Sequence, residues 1–92
     1  DVPSAFQLEQ NYPNPFNPST AIRFTLPATE KVTLTVYDIL GQRVATLLDG
    51  EQLNTGQHTV NFDASALASG VYTYRLQAGS EFAQSRRMLL VK

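Results

Sequence analysis

The stretch Leu67-Ala68-Ser69-Gly70-Val71-Tyr72-Thr73-Tyr74 decides the fold. From Val71 onward Tyr72, Tyr74 and Leu76 recur every second residue, so in an extended chain all three point to one side. In two-sheet sandwiches a tyrosine near the start of a late strand often turns its hydroxyl back onto backbone a few residues upstream and fixes the corner. Tyr72 stands where such a tyrosine stands, with its bond expected near Leu67. Gly70 is the small residue ahead of it, and Tyr74 takes the core-facing place that a cysteine fills in antibody domains.

The same period of two extends outward from this strand. Ile22, Phe24 and Leu26 alternate with Arg23 and Thr25, and Val32, Leu34 and Val36 alternate with Thr33, Thr35 and Tyr37. Residues 42–48, 57–62, 71–78 and 81–91 read as further strands, and 6–8 as a short first one. Asp38-Ile39-Leu40-Gly41 places Asp first and Gly fourth in a type I turn, which makes 37–44 a hairpin. Asn54-Thr55-Gly56 and Ala78-Gly79-Ser80 mark later strand boundaries. The expected fold is all-β, an immunoglobulin-like β-sandwich of about seven antiparallel strands.

Ahead of the strands lies Asn11-Tyr12-Pro13-Asn14-Pro15-Phe16-Asn17-Pro18, with three of the chain's five prolines. Three missing donors in so short a run exclude helix and central strand, and the residue before each proline is pushed toward extended backbone. Tyr12 and Phe16 are too apolar for a linker. The segment is therefore expected to be a clasp, with both rings closing one end of the sandwich, rather than a rigid surface for a receptor to read.

A chain of 92 residues is one domain and can bury a core without staples. A net charge of −1 argues against a nucleic-acid partner. Without cysteine there is no disulfide, thiolate site or thiol nucleophile. No transmembrane segment or signal peptide is visible, and a start at Asp1-Val2-Pro3 reads as a piece of something longer. Asn17-Pro18-Ser19 has proline at the forbidden middle place of a glycosylation site.

No catalytic, cofactor-binding or metal-ligating set emerges. His58 is the one histidine and reads as a solvated strand residue, with no G-x-S-x-G turn to supply a serine nucleophile. Asp38, Asp49, Glu51 and Asp63 have turn or capping roles, and no D-x-D-x-D series offers a calcium loop. Phe6, Phe24, Phe62, Tyr72 and Tyr74 are assigned to the core by phase. Few aromatics then remain for a sugar platform.

The last segment, Arg86-Arg87-Met88-Leu89-Leu90-Val91-Lys92, breaks the alternation with four consecutive apolar residues between basic brackets. Either another element covers its outer side, or it is an exposed docking strand.

Taken in order, Tyr12-Pro13-Asn14-Pro15-Phe16, Ile22, Val36-Tyr37-Asp38-Ile39-Leu40-Gly41-Gln42-Arg43-Val44, Leu67 with Gly70-Val71-Tyr72, and the segment from Arg86 to Lys92 closely resemble the C-terminal sorting domain of the type IX (Por) secretion system. The resemblance covers 10–92 and leaves 1–9 as linker or short first strand. It implies a non-enzymatic domain without cofactors that directs a larger exported protein through the periplasm and across the outer membrane, for surface attachment or release. Its implied partners are the outer-membrane secretion machinery and a sortase-like protease that cuts ahead of the domain. Arg86, Arg87, Met88, Leu89, Leu90, Val91 and Lys92 are the recognition candidates. The alternative reading is a carbohydrate-binding module of a polysaccharide-degrading enzyme.

Overall fold

The computed structural model describes residues 5–92. Seven strands follow one another: β1 (Gln7–Leu8), β2 (Ser19–Leu26), β3 (Glu30–Tyr37), β4 (Arg43–Leu53), β5 (Gly56–Asp63), β6 (Gly70–Ala78) and β7 (Phe82–Leu90). They form two antiparallel sheets, one in the order β1-β2-β5 and the other β4-β3-β6-β7. In the constant-type immunoglobulin arrangement the sheets hold four and three strands. Here the fourth strand pairs with β3, which gives three and four.

Alternation puts each sheet's apolar face inward. Thr20, Ile22, Phe24 and Leu26 of β2 are buried, whereas Arg23 points out. Across the core, Val32, Leu34 and Val36 of β3 lie in register with Ala78, Leu76 and Tyr74 of β6. Phe62, Met88 and Leu90 complete the same cluster. The Tyr72 hydroxyl donates to Ala68 O at 2.6 Å, one residue from the expected Leu67. At the 38–41 turn, Gly41 N donates to Asp38 O at 3.0 Å and the Asp38 carboxylate accepts from Leu40 N and Gln42 N, each at 2.9 Å. Gly41 takes φ +83°, which a side chain would resist.

Several expectations need correction. The fourth strand runs on past Leu48 to Leu53 because extra residues are absorbed as bulges: Leu34 pairs with Leu48 but Val32 pairs with Glu51. Gly50 helps the kink with a positive φ, its N–H donating to Thr33 Oγ1 at 3.1 Å. Phe6 is not deep core. The first strand is only Gln7–Leu8, so Phe6 lies beyond the ladder and is half-buried, stacked on Phe82 with ring centroids 4.8 Å apart. His58 is half-buried rather than solvated; it pairs with inward-facing Phe24, stacks on that ring and sets Nε2 2.7 Å from Asn54 O.

Candidate recognition surface

β7 is an edge strand, and residues 10–16 close its outer edge. Phe16 N donates to Leu89 O at 2.9 Å and Val91 N donates to Phe16 O at 3.0 Å, a parallel bridge. Leu89 N donates to the Asn14 side chain at 2.9 Å, and Gln10 Nε2 to Arg87 O at 2.6 Å. From Arg87 to Val91 the edge groups that an incoming strand would need are therefore largely taken. The exposed docking strand is replaced by a covered one. The proline segment contributes only isolated bridges, at Tyr12 and Phe16, as its missing donors require.

Within that segment the two aromatics part company. Phe16 is 2% exposed and packs against Phe62 with centroids 6.3 Å apart, the expected plug. Tyr12 is 81% exposed and is no plug. Its backbone exchanges both hydrogen bonds with Ala21, whose side chain belongs to the outward set of β2, so the tyrosine points out as well. The buried place next to it is taken by Asn11.

Asn11 Nδ2 donates to Thr20 Oγ1 and to Pro13 O, and Asn11 N donates to the Tyr74 hydroxyl at 2.8 Å. The Tyr74 hydroxyl in turn donates to Glu9 O at 2.6 Å. Burial pushes the Tyr74 phenol above its ordinary value, against weaker downward pulls from the Asn11 N–H and the Arg86 charge. Sequence reasoning missed this network. Asparagine among prolines reads as a turn former, and only the long-range meeting of segment and strand shows its partners.

The seven recognition candidates separate by phase. Met88 and Leu90 are core. Arg86 is half-buried and its Nε donates to Leu8 O at 2.6 Å. Lys92 donates from Nζ to Ser65 O at 2.6 Å and from its backbone N to Ser69 Oγ at 2.9 Å. Val91 lies past the strand, about half exposed. Arg87 and Leu89 face outward.

These two extend into a face that the sequence did not reveal. Leu89 pairs with Val71 and Arg87 with Thr73, which pairs onward with Tyr37. With Arg75, Ser85 and the turn residues Asp38, Ile39 and Gly41, Tyr37, Val71, Thr73 and Arg87 line a shallow depression of about 460 Å³. Ile39, 79% exposed, lines it, and the next turn residue, Leu40, is equally exposed. The signal lay in the register of the β6–β7 hairpin, which places alternate residues of both strands side by side.

Among the described residues no three His, Asp or Glu side chains converge as a metal site. No helix among the described residues is long and apolar enough to cross a membrane. Fold and face together define a small β-sandwich module with an amphipathic outer surface on its β6–β7 side. A comparison with curated proteins finds no match. The family model of the secretion system C-terminal sorting domain, the type IX signal, matches residues 10–92, and the chain belongs to that family. Membership implies a sorting role, export by way of the outer membrane, and contact with the secretion machinery.

Proposed function

We propose that this domain acts without catalysis, as a signal by which a larger exported protein crosses the outer membrane for surface attachment or release, and that of the residues ahead of the matched span Gln7 and Leu8 are its short first strand, the chain before them leading to that cargo. The observation that supports this is the division of the last strand. Met88 and Leu90 anchor it in the core, while Arg87 and Leu89 remain available to a reader. Such a reader meets side chains on a sheet face and needs no open edge. A sortase-like protease then cuts ahead of the domain. The carbohydrate-binding alternative gains nothing from the geometry: Tyr12 is strongly exposed, but Tyr37 is half-buried and Phe16 is sealed.

The test is a reporter with its own inner-membrane export signal, carrying residues 1–92 at its C-terminus, in a host with a type IX system. The fusion should reach the surface or medium, cut ahead of the domain, while the reporter alone stays in the periplasm. Equal distribution of the two would contradict the reading.

A further inference from the structure

We propose that the depression between the 38–41 turn and β7 is a docking groove for an extended protein segment of the secretion machinery, carrying one apolar side chain followed at alternate positions by two carboxylates; this specification rests on the sorting reading above. The register lays out the groove. At one end Val71 and Leu89 form a cross-strand apolar pair, each 38% exposed; Val71 lines the depression together with Ile39, and Leu89 carries the surface on into the adjoining hollow beside Asn14. One step along β6, Arg87 stands opposite Thr73, and a further step brings Arg75 opposite Ser85. Arg75 and Arg87 are thus diagonal neighbours on adjacent strands, about 7–8 Å apart.

Alternate side chains of an extended segment are spaced about 6.6–6.8 Å apart, so a segment lying along β6 can set its apolar residue on Val71 and Leu89 and its next two same-face residues over the two guanidiniums. The groove's one carboxylate, Asp38, is engaged by the N–H groups of its own turn, which leaves the lining cationic toward a visitor. Carboxylates complement it, and guanidinium is the side chain best shaped to receive them. The outer face of the other sheet lacks this pattern: there Tyr12 lies beside Ala21, but Ala21, Arg23 and Thr25 meet Asn61, Thr59 and Gln57, so a single arginine stands where the groove has two.

The probe is a capped peptide Leu-Ser-Glu-Ser-Glu, titrated into the isotopically labelled 92-residue chain and followed by amide chemical shifts. Saturable shifts should be confined to residues 37–41, 71–75 and 85–89. R75Q and R87Q should each weaken binding about threefold and together about tenfold, as exposed ion pairs do, with melting unchanged. A peptide with Gln for both Glu should lose the same tenfold, and one with Ser for Leu should not bind. Absence of saturable shifts in the groove, or shifts elsewhere, overturns the proposal. So does binding to phosphatidylglycerol vesicles without a peptide response, which would make the face a lipid contact. A domain that sorts its reporter yet ignores the peptide overturns the groove alone. One that binds the peptide yet fails to sort overturns the sorting reading.

Discussion

The two faces of the β6–β7 hairpin are one residue apart in sequence and opposite in character. On the inner face Tyr72, Tyr74, Leu76, Met88 and Leu90 are sealed in the core. On the outer face Val71, Arg75, Arg87 and Leu89 meet solvent. Because side chains in a strand alternate strictly, a sealed set and an exposed set occupy the same short segment without sharing a residue. A run such as Met88-Leu89-Leu90-Val91, which looks uniform, is two populations. Substitutions can therefore test either face separately, and the inner ones should cost stability in proportion to what they leave unfilled.

The largest effect belongs to the clasp that holds this hairpin's edge. Phe16→Ala should destabilise by about 3 kcal/mol, read from the urea midpoint, because a buried ring is removed. Tyr12→Ala should leave the midpoint within about 0.5 kcal/mol, since that ring already lies in water. Equal costs for the two would erase the distinction drawn between them.

Next comes Tyr74→Phe, expected to cost about 1–3 kcal/mol by stranding Glu9 O and Asn11 N. It should also change the alkaline response. Burial raises the folded phenol's pKa above the ordinary 10.0, so the folded chain holds that proton more strongly than the unfolded one. The stability this gives is complete below the unfolded value and is lost as pH climbs through the folded value. Urea midpoints measured up through the phenol range should fall less steeply in Tyr74→Phe than in the parent. Parallel curves would show that Tyr74 does not govern the loss.

Tyr72→Phe removes a single bond, to Ala68 O, and should cost about 1 kcal/mol. A negligible change would mean that the corner is held by packing alone. The smallest effect is expected on the outer face, where the double variant R87S and L89S should melt within about 0.5 kcal/mol of the parent. A larger loss would sharpen the comparison in the other direction, by showing that this face also carries stability.

What was legible in the sequence follows the range of the interactions that produce it. Period-two alternation in Ile22-Arg23-Phe24-Thr25-Leu26, the Asp38-to-Gly41 turn and the Tyr72 corner are local, and each stands in the structure close to where sequence placed it. The exposure of Tyr12, the polar network of Asn11 and the parallel bridge from Phe16 to Leu90 depend on residues more than sixty positions apart or on which face of β2 a neighbour shares. No local pattern encodes those. The bulges that lengthen β4 are likewise hidden, because Asp49-Gly50 reads as a turn when its partner Thr33 is not in view. In sequence the recognition candidates form one continuous segment, yet within β7 the structure turns Arg87 and Leu89 outward and brings them beside Val71, Thr73 and Arg75, which only the hairpin register reveals.

The most direct test of the central claim compares export of two reporter fusions with matched folding: one carrying R87S and L89S on the outer face, the other carrying Met88→Leu, a volume-conserving change on the inner face. Both should melt like the parent within about 1 kcal/mol. The inner-face variant should reach the surface or medium as the parent does, and the outer-face variant should accumulate in the periplasm. Normal export of the stable outer-face variant would contradict the account, because the face it alters would then not be what the secretion machinery reads.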